Sequence, residues 1–379
     1  MVQNPGASAI QCRAAVLRKE GQPMKIEQVL IQAPGPNQVR VKMVSSGLCA
    51  TDAHLVWGEQ KISDLGGIGC PAIAGHEGAG IVESVGENVT EFVPGDSVLT
   101  SFQPQCGQCE SCLRPSTNIC KKYDLIKSTT DVSTARTLDG QPITSLFGLG
   151  VYSEYITTTE HHVFKVNKAA NLEHASIISC SVGTGFYSAT NLAAVYEGST
   201  CAVWGLGGIG INTLFGCKYN KAKHIIGIDV NEDKREIAAE FGCTEFINPK
   251  TLGQPVEQYL MDKFGGVDFA FDCVGYKPIL DQAAVSLAID GTMVIIGAAA
   301  KEVKFEMPAF NFLFNRKVVG GLLGSKKTKV AYQELCDMYV DGTYDVDRLV
   351  SNKFSLDQIN EAFQTLKDGN CIRSIVVFK

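Results

Sequence analysis

The chain lacks three features that would each indicate a particular class of protein. Basic residues are not in excess, since 34 Lys and Arg stand against 40 Asp and Glu and give 379 residues a formal net charge of −6. That balance argues against a protein that mainly neutralises nucleic-acid phosphates. No apolar run approaches the roughly 18–20 residues of a membrane span, and residues 1–12 resemble no secretion signal. We therefore expect a cytoplasmic protein with neither nucleic acid nor membrane as a partner.

Cysteine, in contrast, is abundant, with 14 residues. In an unexported chain of this length, thiols bind metals or are buried as small apolar side chains. Four of them lie within fifteen residues: Cys106, Cys109, Cys112 and Cys120. Four thiolates are the ligand set of a closed, structural zinc site. An iron–sulfur cluster is the competing interpretation, but its bacterial motif places the fourth cysteine closer and follows it with proline, whereas here Lys121 follows.

A looser group of possible metal ligands precedes this cluster. Cys49 and His76 lie 27 residues apart, and Asp52 and Glu77 place carboxylates beside them. Thiolate and imidazole are both zinc ligands. An imidazole ligand also needs a partner on its other ring nitrogen, which Asp52 would supply. Taken alone, however, a single Cys and a single His are more often structural.

The pattern of apolar residues changes along the chain and predicts an α/β protein. The first part contains short apolar segments such as Cys12–Leu17 and Lys25–Ile31, separated by Gly and Pro turns, which is typical of antiparallel strands. From about residue 199, strands alternate with helices, which predicts a doubly wound parallel sheet. After Gly320 the chain returns to helix-forming stretches and ends in a strand-like segment, Arg373–Phe378.

A G-x-G-x-x-G pattern, formed by Gly205, Gly207 and Gly210, follows the predicted strand Cys201–Trp204 and opens an apolar helix. Asp229 lies nineteen residues after Gly210, at the end of the next predicted strand. In this context the glycines predict a dinucleotide site, with the pyrophosphate at the helix N-terminus. Asp229 would hydrogen-bond the adenosine ribose and repel a 2′-phosphate, which favours NAD over NADP.

These motifs occur in a fixed order along the chain: Gly75-His76-Glu77 with Gly80, Gly86 and Val89, then the four-cysteine cluster, then the nucleotide pattern. In that order they resemble the zinc-dependent medium-chain alcohol dehydrogenases over nearly the whole chain. The resemblance implies a GroES-like, β-rich catalytic domain of residues 1–180 and 323–379, and a Rossmann domain of residues 181–322. It also implies a homodimer, because the segment between Cys120 and Gly148 resembles the longer loop of the dimeric animal and plant enzymes.

The resemblance implies a ligand set and a reaction. A catalytic zinc would be held by Cys49, His76 and Cys180, which gives two zinc ions per subunit with the structural site. The enzyme would transfer hydride reversibly between a small alcohol, primary or secondary, and NAD, giving an aldehyde or ketone. An alcohol oxygen at the open position of the zinc would lose its proton near neutral pH.

Further roles follow from the same resemblance. The proton would pass through the Thr51 hydroxyl and the cofactor ribose to His54, while Glu77 lies behind the metal. The residues implied in cofactor binding, besides the glycines and Asp229, are Thr184, Lys234 near the adenosine ribose and Arg373 near the pyrophosphate. Phe102 and Phe147 match positions that line the substrate cleft.

Alternatives remain within and outside this activity. The residue after Cys49 is Ala50, where relatives often carry Arg or His against the pyrophosphate. The S-(hydroxymethyl)glutathione (formaldehyde) dehydrogenase branch shares both zinc sites, but normally has Tyr in place of His54 and an Arg shortly after Cys120, where this chain has residues 121–124. We therefore favour a general alcohol dehydrogenase. The retained ligands weaken a non-enzymatic binding or structural relative, and the acidic charge weakens a zinc-ribbon nucleic-acid module.

Overall fold

The computed structural model describes residues 8–65, 69–123, 134–300, 302–369 and 371–379. By its internal contacts the chain divides into two compact units: Met1–Cys180 with Lys327–Lys379, and Ser181–Lys326. The sequence analysis placed the return to the first domain at residue 323. Of the predicted loop between Cys120 and Gly148, residues 124–133 lie outside the described residues.

The strands of the first unit are mainly antiparallel, and those of the second unit are parallel. Numbered in chain order, they are β1 (Ile10–Leu17), β2 (Lys25–Ile31), β3 (Gln38–Gly47), β4 (Ala72–Ile73), β5 (Glu77–Val85), β6 (Ser97–Thr100), β7 (Ala135–Arg136), β8 (Pro142–Ser145), β9 (Tyr155–Thr159), β10 (Val163–Lys165), β11 (Thr200–Trp204), β12 (His224–Ile228), β13 (Glu245–Ile247), β14 (Val267–Asp272), β15 (Leu287–Ile295), β16 (Lys317–Gly320), β17 (Val350–Phe354) and β18 (Arg373–Val377).

The α-helices before residue 208 have at most seven residues, and most of those from residue 208 onward are longer. In chain order they are α1 (Ala50–Val56), α2 (Glu110–Leu113), α3 (Leu172–Ala175), α4 (Ser181–Tyr187), α5 (Gly208–Tyr219), α6 (Arg235–Glu240), α7 (Val256–Phe264), α8 (Lys277–Val285), α9 (Thr328–Val340) and α10 (Ile359–Lys367). None of the helices in the described residues combines the length and the apolar character that a membrane crossing requires.

The first unit contains a small barrel and a larger sheet. Strands β1, β2, β7, β8 and β4 close the barrel, because β4 pairs with both β1 and β8. The larger sheet has the order β10, β6, β5, β3, β18 and β17, with β9 also paired to β3. Strand β18 comes from the end of the chain and lies antiparallel to β3, with Ile375 opposite Gly47. The C-terminal strand therefore lies beside the end of β3, where α1 begins.

Helix α10 shows how the apolar pattern determines packing in this unit. Ile359, Ala362 and Phe363 are buried at positions i, i+3 and i+4, while Glu361 between them is exposed. This is the spacing of one helix face. The three side chains join the core formed by β1 and β2, so the helix covers apolar residues that the barrel would otherwise expose.

The second unit is built on a six-stranded parallel sheet with the order β13, β12, β11, β14, β15 and β16. The predicted Rossmann-type sheet is thus confirmed, as is the β-rich first region. The strand order reverses at β11, and ligands of such sheets bind beyond the carboxyl ends of the strands at that point. Gly205 follows β11 and Asp229 follows β12, so both lie at this edge.

Candidate active site and metal centres

Cys49, His76, Glu77 and Cys180 come together in the first unit and are all buried. Each residue offers one possible ligand atom, which is a sulfur, a ring nitrogen or a carboxylate oxygen. These four atoms all lie within 4.8 Å of one another. Cys49 caps the start of α1 after β3, and Glu77 begins the neighbouring strand β5. Cys180 ends a 3-10 turn that packs against both strands. The group contains the donor types of a zinc site.

Two glycines allow the backbone at this cluster to lie very close to neighbouring side chains. A Cβ atom on Gly47 would lie 2.2 Å from Glu77 Oε2, so the carboxylate occupies the space that any other side chain would need. Gly75 has φ +92°, and a Cβ there would lie 2.9 Å from a methyl group of Val151. Only glycine adopts that conformation without strain. The backbone before His76 therefore approaches its neighbours more closely than a side chain would permit.

Asp52 orients the imidazole of His76. Its carboxylate oxygens lie 3.2 and 3.3 Å from His76 Nδ1, and it also accepts the N–H of Gly75 at 2.9 Å. The hydroxyl of Tyr152 donates to Asp52 Oδ2 at 3.2 Å. Because Asp52 occupies Nδ1, Nε2 is the ring nitrogen left for a metal. The sequence analysis predicted the Asp52 contact but missed Tyr152, a buried aromatic that no motif marks.

Arg373, the first residue of β18, forms a buried ion pair with Glu77. The side chains are only 7% and 0% exposed. In the described part of the chain, Arg373 Nε and Glu77 Oε1 have no hydrogen-bond partner. Buried polar atoms are rarely left unpaired, so these two atoms retain hydrogen-bonding capacity for a bound group. The sequence analysis associated Arg373 with the cofactor and did not anticipate its pairing with Glu77.

The electrostatic environment favours a thiolate in this cluster. A hydrogen bond from the Cys180 thiol lowers the pKa of Cys49 well below its ordinary value, although burial opposes the shift. The positive charges of His76 and Arg373 act in the same direction as the hydrogen bond. The shared hydrogen bond and burial together raise the pKa of Cys180. Cys49 is therefore the sulfur that ionises first, and the thiolate is the form that binds zinc.

Thr51 and His54 lie on α1, one turn apart, and lead from this cluster toward solvent. The Thr51 hydroxyl is 3.7 Å from the sulfur of Cys49 and is half-buried. The side chain of His54 is 30% exposed, and its Nδ1 is hydrogen-bonded to the carboxylate of Glu59. Its ring also meets the ring of Trp57 edge-on, with 6.1 Å between the centroids. The sequence analysis named Thr51 and His54 but not Glu59.

Two aromatic rings flank the imidazole of His76. The ring centroids of Phe102 and Phe147 lie 5.4 and 5.6 Å from that of His76, and both meet it edge-on. Phe147 is buried and has φ +54°, a backbone conformation that bulky residues rarely adopt. The two rings make the surroundings of the imidazole apolar, which strengthens electrostatic interactions there.

The second cluster comprises Cys106, Cys109, Cys112 and Cys120, which surround the short helix α2. Their sulfurs are separated by 3.9 Å (Cys106 to Cys112), 3.8 Å (Cys109 to Cys120) and 3.6 Å (Cys106 to Cys120). Four sulfurs at about 2.3 Å from one tetrahedral zinc ion would be separated by about 3.8 Å. The observed distances fit that geometry, and they are far too long for disulfides. The backbone N–H of Cys112 lowers the pKa of Cys109 to about 6.

In the second unit, the three glycines of the nucleotide pattern have different surroundings. Gly205 has φ +85° and turns the chain sharply at the end of β11. A Cβ on Gly210 would lie 1.9 Å from the carbonyl oxygen of Gly205, whereas one on Gly207 would meet nothing within 4 Å. Gly210 thus serves the packing of α5 against the strand, and Gly207 leaves open space before the helix N-terminus.

Asp229 is 9% exposed and ties the end of β12 to the glycine-rich turn. Its Oδ2 accepts the N–H of Leu206 at 2.7 Å and lies 3.1 Å from Lys234 Nζ, while Oδ1 accepts the N–H of Asn231 at 2.9 Å. Lys234 therefore contacts the carboxylate that the sequence analysis assigned to the ribose. Thr184 lies within α4, which packs against α5, and is 8% exposed.

Comparison with protein families places two known domains on this chain. The family described as "Alcohol dehydrogenase GroES-like domain" matches residues 35–168. The family described as "Zinc-binding dehydrogenase" matches residues 208–340. The first match includes Cys49, His76 and the four-cysteine cluster, and the second includes Gly210 and Asp229.

Individual proteins match over almost the full length. The chain is 39% identical over 372 residues to alcohol dehydrogenase 6 of Peromyscus maniculatus, covering 97% of this chain and 98% of the relative. It is similar in structure to an alcohol dehydrogenase zinc-binding domain protein from Burkholderia ambifaria, with TM-score 0.90, 29% identity and 98% and 100% of the two chains covered. It also resembles benzyl alcohol dehydrogenase from Acinetobacter calcoaceticus, with TM-score 0.87, 27% identity and the same coverage.

Proposed function

Because the chain belongs to the zinc-dependent medium-chain alcohol dehydrogenase family, we propose that it transfers hydride reversibly between a primary or secondary alcohol and NAD, giving an aldehyde or ketone. The observation that carries this proposal is a group of four buried residues, Cys49, His76, Cys180 and Glu77. Their possible ligand atoms all lie within 4.8 Å of one another. The relatives named an alcohol dehydrogenase and a benzyl alcohol dehydrogenase support the alcohol as substrate class.

Cys49, His76 and Cys180 would hold the catalytic zinc. Two sulfurs and one imidazole are three protein ligands, which is the number that leaves a catalytic zinc an open position. When bound, the zinc supplies a Lewis acid for the alcohol oxygen, and NAD supplies the hydride acceptor. Asp52 holds the His76 ring so that Nε2 faces the ligand group, and Phe102 limits the access of water beside it.

Glu77 and Arg373 would place one acidic and one basic side chain beside the zinc ligands. Glu77 lies with the ligands and is fully buried; burial raises the pKa of its carboxyl to about 7, and the charge of the paired Arg373 opposes that shift. Arg373 Nε, without a partner among the described residues, supports a contact from this side chain to the cofactor pyrophosphate. Such a contact would satisfy a buried donor that the protein itself leaves unpaired.

Thr51 and His54 would carry the proton of the alcohol toward solvent. The hydroxyl of Thr51 lies beside Cys49 and can both accept and donate a proton. The imidazole of His54 lies one helical turn further along α1 and reaches solvent, where it can release the proton. We assign these two residues, rather than a buried carboxylate, as the route out of the site.

The glycine-rich turn and Asp229 would bind the dinucleotide. The open space at Gly207 supports a pyrophosphate at the N-terminus of α5, and the carboxylate of Asp229 supports recognition of the adenosine ribose of NAD. Lys234 would stay paired with Asp229 and approach the same ribose. Thr184 on α4 would contribute a hydroxyl to the cofactor.

The four-cysteine cluster would hold a second, structural zinc, which gives two per chain. Four sulfurs leave no open position, so this metal would stabilise the loop around α2 and take no part in the reaction. We further propose a cytoplasmic homodimer. Reduced thiols at both sites fit a reducing compartment, and Phe310 and Leu313, which are 65% and 75% exposed before the edge strand β16, support an interface there.

A panel of alcohols tests the proposed activity. Zinc-loaded protein is assayed by NADH absorbance with primary, secondary and long-chain alcohols, and separately with S-(hydroxymethyl)glutathione. We expect NADH to form with at least one simple alcohol. Turnover of the glutathione adduct alone would move the assignment to the formaldehyde dehydrogenase branch. Failure with every substrate, by protein that retains both zinc ions, would indicate a non-enzymatic relative.

A further inference from the structure

Glu59 lies beside the imidazole at which the proposed proton route ends. Its carboxylate is hydrogen-bonded to His54 Nδ1, and the turn after α1 holds the two residues together. The N–H of Glu59 donates to the His54 carbonyl oxygen at 2.8 Å, and the N–H of Gln60 donates to the same oxygen at 3.1 Å. The Glu59 side chain therefore starts from a fixed position next to the ring.

We propose that Glu59 is a positioning residue for proton release, which fixes the neutral His54 ring with its hydrogen on Nδ1 and leaves Nε2 free to take up a proton. An ionised carboxylate can only accept a hydrogen bond, so the ring nitrogen that faces it must carry the hydrogen. Within the described residues, the bond to Glu59 is the one hydrogen bond of the His54 ring. This inference rests on the proposed function, in which His54 accepts the proton of the alcohol.

The charge of Glu59 also suits the protonated ring. When Nε2 accepts a proton, both ring nitrogens are donors and the ring becomes a cation, which the adjacent carboxylate stabilises. The proton then leaves Nε2 for solvent water, because the His54 side chain is 30% exposed. Throughout these steps the hydrogen on Nδ1 stays in its bond to Glu59, so the ring returns to the same tautomer.

Two other charged residues among those that the structure describes near this ring have partners of their own. Asp52, on the same helix, is committed to His76 on the buried side. Lys367 Nζ lies over the Trp57 ring, 5.5 Å from its centroid, and the His54 ring meets the same Trp57 ring edge-on. Because Glu59 is itself 54% exposed, solvent screens the interaction and its effect should be moderate.

Kinetics in two backgrounds test whether Glu59 acts through His54. Near pH 7 we expect Glu59→Ala to slow hydride transfer about threefold to tenfold, as for the loss of an exposed charge-assisted hydrogen bond. The deficit should vanish at high pH, where hydroxide takes the proton directly. Glu59→Gln, which keeps an acceptor oxygen, should restore part of the rate. In a His54→Gln background, Glu59→Ala should cause no further loss.

Ring nitrogen NMR tests the tautomer without cofactor or turnover. The chain has only 6 histidines, so His54 can be assigned in 15N-histidine-labelled protein by its disappearance in His54→Gln. We expect the neutral wild-type ring to carry its hydrogen on Nδ1, and Glu59→Ala to shift it toward Nε2. The control is Asp347→Asn, which removes a carboxylate, 56% exposed, that pairs with His174 Nδ1. It should change the His174 signals and leave His54 and the pH profile unaltered.

Three results would separate the possible failures. A wild-type ring with its hydrogen on Nε2 overturns the assignment of Glu59, whatever the activity. An active wild type whose Glu59→Ala variant has the same pH profile, or an equal loss in the His54→Gln background, overturns the Glu59 inference alone. A wild type that oxidises no alcohol overturns the proposed function instead.

Discussion

Replacing Asp229 by asparagine should weaken the preference for NAD over NADP. The carboxylate accepts the N–H groups of Leu206 and Asn231 and contacts Lys234 Nζ at 3.1 Å. Asparagine keeps one carbonyl oxygen for these contacts and removes the charge. Glycine would also remove the charge but would leave buried N–H groups without an acceptor, which costs stability as well. Asp229→Asn removes the charge and places its NH2 group opposite one of these N–H donors, so it loses one of the two backbone hydrogen bonds where glycine would lose both.

The magnitude follows from the charges around the carboxylate. A 2′-phosphate on the same ribose would lie about 5 Å away, and two unit charges at that distance repel by about 3 kcal/mol at an effective dielectric constant of about 20. The phosphate carries about −1.5 to −2 charges, but Lys234 offsets part of the carboxylate. We therefore expect a net discrimination of about 2–3 kcal/mol, which corresponds to about 30–150-fold in kcat/KM.

Initial rates with NAD and NADP measure this discrimination. In wild-type protein the ratio of kcat/KM values should favour NAD by about the amount above, and in Asp229→Asn it should fall by most of that factor. Glu232→Gln is the matched control, because Glu232 is a neighbouring carboxylate, 48% exposed, that pairs with Arg235. It should change the ratio less than about twofold. Equal use of both cofactors by wild-type protein would refute the reasoning.

Two further changes test the cofactor site. A methyl group at Gly207 would meet open space, while one at Gly210 would lie 1.9 Å from a carbonyl oxygen. We therefore expect Gly207→Ala to keep the melting temperature and weaken NADH binding, and Gly210→Ala to lower the melting temperature by several degrees. Fluorescence titration and thermal melts distinguish the two variants, and equal stability of both would contradict the assignment. Ala50→Arg adds a cation at the exposed first residue of α1. A charge-assisted hydrogen bond of about 1.5 kcal/mol to the cofactor should slow NADH release in stopped-flow measurements by about tenfold. Unchanged release would show that this position does not face the cofactor.

Local patterns in the sequence were sufficient where neighbouring residues determine the structure. Strand β2 was predicted to the residue, because turns bound its apolar segment on both sides. The helix predicted from Gly205 begins only at Gly208, since Gly205 has φ +85° and Gly207 is extended.

The active site shows where such patterns are insufficient. The four-cysteine cluster could be inferred from spacing, because its members share one loop. Cys180 lies far along the chain from His76, and only the packing of its 3-10 turn against β3 and β5 brings it to the other ligands. The pairing of Arg373 with Glu77 likewise depends on the C-terminal strand lying beside β3. These contacts are properties of the fold, and no local motif encodes them.

The most direct test of the account is the zinc content of Cys180→Ala, measured together with its activity. The account predicts about two zinc ions per chain and NADH formation in the wild type, and one zinc ion with no NADH formation in the variant. Cys109→Ala is the matched control at the other cluster, and it should lose the structural zinc and stability. A Cys180→Ala protein that still oxidises alcohol, or a fully active wild type with a single zinc, would contradict the assignment of the two metal sites.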